Sequence, residues 1–203
     1  VGRSWRWRFD LPQKRHESGA PSGRDLNYED AMILRALALA TVSVFLAGCI
    51  LQSETPLVSA GEGELALGPR AIRFAAYTLK DGVWHKEDGT ADFTPEGDHY
   101  VVKDSTSANP GIIVFKFLPG KSWLMQMQGD DHTATYALAD IDEGAVYPTP
   151  LMCTDVEKIE AFKPLVEVDG TDCKIAPAAP KAAVFAALAS FPLTRTLKMV
   201  PVQ

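Results

Sequence analysis

The residues with the most reactive side chains in one place are Asp130, Asp131 and His132. Two carboxylates beside an imidazole could hold a divalent metal or polarise a water. Their surroundings point to a plainer role, because polar residues between two apolar stretches are the usual material of a hairpin turn. His85 follows Trp84, and His99 precedes Tyr100, each in a strand-like stretch. With His132 they would complete a three-histidine zinc set, but nothing in their spacing makes them converge. Ser105 and Ser107 lie in the loop DSTSANPG without the strand-turn-helix elbow that a nucleophilic serine needs. The phosphate-cradling loop, the dinucleotide fingerprint and the HExxH zinc helix are absent from the sequence. The expectation is a non-enzyme with no metal and no cofactor.

Trp84, Tyr100, Trp123 and Tyr136 recur about once per hairpin. Aromatic residues so spaced either fill the core of a small β domain or line a groove for a glycan, a lipid or a partner chain. Met125 and Met127 suit an adaptable apolar pocket and a core equally well.

The elements that must position these residues are mostly strands. Apolar and polar residues alternate in short runs from Arg70 to Pro148: 71–79, 83–86, 90–94, 99–103, 112–118, 123–128 and 132–138, with Val146 to Leu151 as a last edge strand interrupted by Pro148 and Pro150. Asp81-Gly82 and Asp88-Gly89 tolerate the positive φ of tight hairpins. No helical crossover separates the runs, so the pairing must be antiparallel. In Trp123–Gln128 the face carrying Leu124, Gln126 and Gln128 is mostly polar and reads as wet or lining a cleft. The last third changes character. Thr154–Phe162 carries a capping box, Thr154 with Glu157, and apolar residues at helical spacing. Leu165–Val168 and Asp172–Ile175 form a hairpin about Asp169-Gly170, Lys181–Ser190 a second short helix, and Leu193–Val200 an ambiguous strand. The fold class expected is mainly β: an antiparallel meander or small barrel-like sheet with one or two short C-terminal helices.

Upstream lies MILRALALATVSVFLAGC, from Met32 to Cys49. One arginine precedes a short apolar run that falls below the roughly 20 residues of a settled transmembrane helix. Its closing residues, Leu46-Ala47-Gly48-Cys49, resemble the lipobox of bacterial lipoprotein precursors. That resemblance implies cleavage before Cys49, a diacylglycerol on its thiol and an acyl group on its freed amine. It also implies a cell-envelope location, and the apolar Ile50, in place of an aspartate, leans toward the periplasmic face of the outer membrane. The resemblance covers only the precursor segment and leaves the family of the mature domain open. With Cys49 committed to lipid, Cys153 and Cys173 remain, an even number in an oxidising compartment, and a disulfide between them is expected.

Four segments follow: an upstream extension at 1–31, with Met32 read as the start; a signal peptide at 32–48; a lipid-anchored tether at 49–69, its first half flexible; and one β-rich domain at 70–203. From Cys49 on there are 13 Lys plus Arg and 21 Asp plus Glu, a net charge of −8. Such a domain repels phosphate backbones, which excludes nucleic acid as a partner and leaves attachment to the lipid. The function expected is a lipid-anchored envelope protein that binds or scaffolds an envelope protein or glycan without catalysis. The alternatives are a barrel-type binder of a small apolar ligand and, behind it, a cell-envelope hydrolase.

Overall fold

The Asp-Gly turn at 81–82 adopts the backbone its chemistry allows, with φ of 52° at Asp81 and 77° at Gly82. Glu143-Gly144 repeats the geometry, at 50° and 80°. Both positions of each turn need positive φ, which matches the right-handed twist of the flanking strands. The computed structural model describes residues 50–105, 109–120, 122–128, 133–170 and 172–202. The segment that resembles a lipobox, with Cys49, lies outside them.

The described strands are β1 (Gln52–Ser53), β2 (Ile72–Lys80), β3 (Val83–Lys86), β4 (Ala91–Glu96), β5 (His99–Asp104), β6 (Gly111–Leu118), β7 (Ser122–Gln128), β8 (Ala134–Asp142), β9 (Ala145–Pro150), β10 (Val166–Asp169), β11 (Asp172–Ile175) and β12 (Leu197–Val202). Helices α1 (Cys153–Val156) and α2 (Lys181–Ala189) interrupt the last third. Eight strands close on themselves in the order β2-β4-β5-β6-β7-β8-β9-β12, every pair antiparallel. The fold is therefore an eight-stranded antiparallel β-barrel with extra strands, two short helices and one disulfide. β3 continues the line of β4 along β2, while β1, β11 and β10 extend the sheet outward from the start of β8.

Strand alternation sends one set of side chains into the barrel. Phe74, Phe93, Tyr100 and Phe115 are buried there in a chain of ring contacts, with centroids 5.1, 6.1 and 5.9 Å apart. Ala137 and Ala139 on β8 leave the volume these rings need. The other set, on β6 to β8, does not face water. Leu124, Gln126, Tyr136 and Leu138 are fully buried beneath the N-terminal segment, α2 and the disulfide region, which together make a second core outside the barrel wall. The face expected to be wet is thus covered, and Gln126 is satisfied there: its side-chain amide donates to the Val58 carbonyl at 3.0 Å and accepts from the Val58 N–H at 2.8 Å.

Three expectations are corrected. The flexible first half of the tether is part of the fold: Leu51, Ser53, Leu57 and Val58 are buried, and β1 lies between β8 and β11. The helix over 154–162 stops after one turn, its N-cap is Met152, and no side chain caps it. The backbone continues in turns (Ile159 N–H to Val156, Phe162 N–H to Ile159, Leu165 N–H to Phe162) that keep the apolar residues inward at a spacing of three. Thirdly, Val146 to Leu151 is not an edge strand: β9 pairs with β8 on one side and with β12 on the other, and β12, the strand read in the tail, closes the barrel.

Cys153 and Cys173 are bonded, with 5.5 Å between their Cα atoms and both side chains buried. The bond ties the start of α1 to β11 and closes a loop of 20 residues, for which chain entropy gives roughly 3 kcal/mol. Replacing both cysteines with alanine is expected to lower stability by about 2–4 kcal/mol. A urea-unfolding series on the pair variant checks this, with the slope compared to confirm the same exposed surface.

Candidate functional site

The β4–β5, β6–β7 and β8–β9 turns mark one end of the barrel, the lower end. β5 and β6 pair through only three residue pairs, leaving the lower half of β6 without β5 beside it. The strap from Gly61 to Leu67 fills that gap. The Glu64 N–H donates to the Phe115 carbonyl at 2.9 Å, and the Glu64 carboxylate takes the Phe117 N–H at 3.3 Å and the Lys116 ammonium at 3.0 Å. Leu65, Ala66 and Leu67 then pack on the interior cluster. The Tyr100 hydroxyl holds them by accepting from the Leu67 N–H at 3.0 Å and donating to the Gly68 carbonyl at 2.9 Å. Asp98, at the β4–β5 turn, accepts the N–H groups of Gly61 at 2.7 Å and Gly63 at 3.0 Å. A β-carbon at Gly63 would collide with the Asp98 carbonyl oxygen and the Val114 side chain, so the close approach requires glycine there.

Beside this strap the lower end carries an aromatic pair. Phe117, at the end of β6, and Trp123, at the start of β7, are directly paired, with ring centroids 5.1 Å apart at 68°. Trp123 also meets Phe115 of the interior at 6.4 Å. Phe117 is 46% exposed and Trp123 half-buried, so the aromatic lining of the barrel comes to the surface here. Met125 and Met127 of β7 and Met199 of β12 face the same interior. Three flexible thioethers among rigid rings give this interior an adaptable side.

The other aromatic candidates are dispersed. Tyr100 and Tyr136 are fully buried, one in each core, and burial raises both phenols above their ordinary pKa. Tyr136 bonds to the Ser53 hydroxyl and accepts the Leu57 N–H at 3.1 Å, which makes it a clamp on the N-terminal segment. Trp84 lies half-buried on the outer face, 6.4 Å from Tyr147. Of the four aromatics read as core or groove, Tyr100 and Tyr136 are core, Trp84 lies on the outer face, and Trp123 stands where the barrel lining reaches the surface.

The candidates for catalysis and metal binding do not assemble. His85 is exposed on β3, toward the upper end of the barrel; His99 is at the lower end, with its Nδ1 3.2 Å from Asp98. Asp130, Asp131, His132 and Ser107 lie outside the described residues. Ser105 is a turn residue whose hydroxyl accepts the Thr90 N–H at 2.9 Å. Among the described residues there is no group of three or more metal-ligating side chains, and no helix is long and apolar enough to cross a membrane. A surface cleft of about 390 Å³ lies between the strap, β6 and α2, lined by Glu62, Glu64, Lys116, Lys181 and Phe185 among others. Its charges are already matched, Lys116 to Glu64 and Lys181 to Glu62 at 2.5 Å. Comparison of the chain with protein-family models, with curated proteins and with solved structures finds no match. The barrel and its lining are consistent with a ligand-binding role.

Sequence reasoning missed Phe117. The run IIVFKFL reads as a fully buried central strand, and the signal that part of it is exposed is Lys116, which interrupts the apolar sequence.

The Gly63 N–H, then His99, holds the Asp98 carboxyl below its ordinary pKa. A carboxylate with a depressed folded-state pKa contributes stability above its unfolded value, about 3.9, and loses that contribution as pH falls through the folded value. Asp98→Ala is therefore expected to cost on the order of 1 kcal/mol at neutral pH, with the gap from the parent shrinking below about pH 4. Urea midpoints of both proteins at pH 7 and pH 3 check the sign.

Proposed function

We propose that the chain is an exported lipoprotein precursor whose mature domain, carried on a lipid at Cys49, binds a small apolar ligand in its barrel without catalysing a reaction. The observation that carries the ligand reading is the closed barrel with an apolar lining that surfaces at Phe117 and Trp123. Rings already in contact occupy the interior, so the ligand makes its room by moving Met125, Met127 and Met199. The Phe117–Trp123 pair, where the lining reaches the surface, offers the ligand stacking area.

The anchor reading rests on the lipobox resemblance. The fold adds a geometric consequence to it. Leu51 is fully buried, so a single residue separates Cys49 from the core, a reach of about 7 Å. A lipid on Cys49 would hold the domain directly against the headgroups, with no spacer. At a net −8 from Cys49 on, the acyl chains supply the attachment and the protein surface adds no attraction to an anionic leaflet.

A second reading keeps the same aromatic pair as a docking patch for another envelope protein, because Phe117 is exposed. Titration with N-phenyl-1-naphthylamine, an uncharged apolar dye, separates the two. Saturable binding at one site, quenching Trp123 in a background with Trp5, Trp7 and Trp84 each replaced by Phe, is the expected result. Phe117→Ser should weaken it by at least fivefold. Binding that does not saturate, or that ignores both Phe117 and Trp123, would leave only the docking patch. Separately, Cys49→Ala should abolish labelling by radioactive palmitate and release the protein from membranes; unchanged attachment would end the anchor reading.

A further inference from the structure

The barrel closes through its weakest strand pairing. β6 and β7 pair through seven residue pairs and β8 and β9 through six, whereas β9 and β12 pair through one, Met199 with Val146. The covalent structure explains the difference. The Leu151 N–H donates to Tyr136 on β8, so the odd-numbered residues of β9 turn their backbone groups toward β8 and the even-numbered ones toward β12. The Thr196 carbonyl accepts from Leu79 on β2, so in β12 the odd-numbered residues turn toward β9. At the register of Met199 and Val146, the next pairs in line are Leu197 with Pro148 and Pro201 with Gly144. Each contains a proline, which has no N–H, so neither can exchange both hydrogen bonds. The ladder has one complete pair and a half-disabled pair on each side of it.

Side chains on the outer face make up part of the deficit. Arg195, just before β12, bonds to Asp140 and to Asp142 of β8, and its guanidinium lies 4.3 Å from the centre of the Tyr147 ring on β9. The Lys198 ammonium lies 5.7 Å from the same ring and 5.9 Å from that of Trp84. The Thr149 hydroxyl donates to the Thr194 carbonyl at 2.7 Å and accepts the Thr194 N–H at 3.0 Å. These contacts cross from β8, β9 and β3 to β12 and its approach. The Arg195 ion pairs are exposed, so salt screens them. Met199 lies on the inner side of the same seam, against the barrel core.

We infer that the β9–β12 seam is a lateral gate, latched from outside by Arg195, through which an apolar molecule reaches the barrel interior. The inference rests on the ligand reading above for what passes through, and on the backbone alone for where the wall opens. When the gate parts, Met199 swings with β12 and exposes the ring stack, while β2 keeps β12 attached through six residue pairs.

Two measurements on the full chain test it. Hydrogen exchange followed by mass spectrometry reads the wall without any ligand. The amides of Val146, Leu197 and Met199 should exchange at least tenfold faster than those between β6 and β7, and faster still in Arg195→Ala or in 1 M salt. Stopped-flow uptake of N-phenyl-1-naphthylamine reads the passage. The disulfide-linked pair Val146→Cys with Met199→Cys should slow uptake at least tenfold against either single variant, and Arg195→Ala should speed it severalfold. Uptake unchanged by the cross-link would overturn the gate, as would seam amides as protected as those of β6. A dye that binds none of these proteins would remove the ligand reading, and the exchange data would then decide the seam by themselves.

Discussion

A β-sheet ends in two rows of unpaired N–H and C=O groups, and this fold is shaped by the need to dispose of them. Bringing β12 between β9 and β2 turns two edges into a seam. What cannot be closed by a strand is closed by something shorter: the Glu64 backbone beside Phe115, β1 where β9 leaves β8, and Asp98 over the N–H groups of Gly61 and Gly63. The second core follows from the same requirement. A barrel wall with apolar residues on both faces, as on β6 to β8, must be covered on the outside too, and the N-terminal segment, α2 and the disulfide region provide the cover.

The covering layer divides the polar side chains into two kinds. Gln126, Tyr136 and Ser53 are buried and hydrogen-bonded, and they fix the register in which residues 53–58 lie on the barrel. Arg195, Asp140, Lys181 and Glu62 are at the surface, where ion pairs contribute little individually. Specificity of the fold therefore resides in the buried hydrogen bonds, while the exposed charges tune details such as the strength of the seam.

Most of the strands were legible in the sequence because their signals are local. Alternation, Asp-Gly turns and the Asp169-Gly170 hairpin each act over a few residues, and the structure places β2 to β8 within a few residues of the expected spans. The disulfide was legible once one thiol was assigned elsewhere. What was not legible is non-local. Nothing in 50–58 says that Leu51 and Val58 bury themselves on β7 and β8, since scattered apolar residues among Ser, Glu and Pro look like a linker until a partner face exists. The α1 helix was overestimated because Val156, Ile159 and Phe162 satisfy a turn repeat of three as well as a helical one. Pro148 and Pro150 suggested an edge strand, but β9 lies inside the barrel wall, where the prolines thin its pairing with β12 instead. At the candidate site, Trp123 was named from its spacing, and Phe117 was hidden in the most apolar strand of the chain.

β1 is two residues long, yet it joins β8 to β11, and Gln52 lies opposite Lys174. The first part of the domain to leave a ribosome is thus among the last to find its place, since the partners of Gln52, Thr135 and Lys174, are made 83 and 122 residues later. Chain topology thus makes completion of the second core wait for β11.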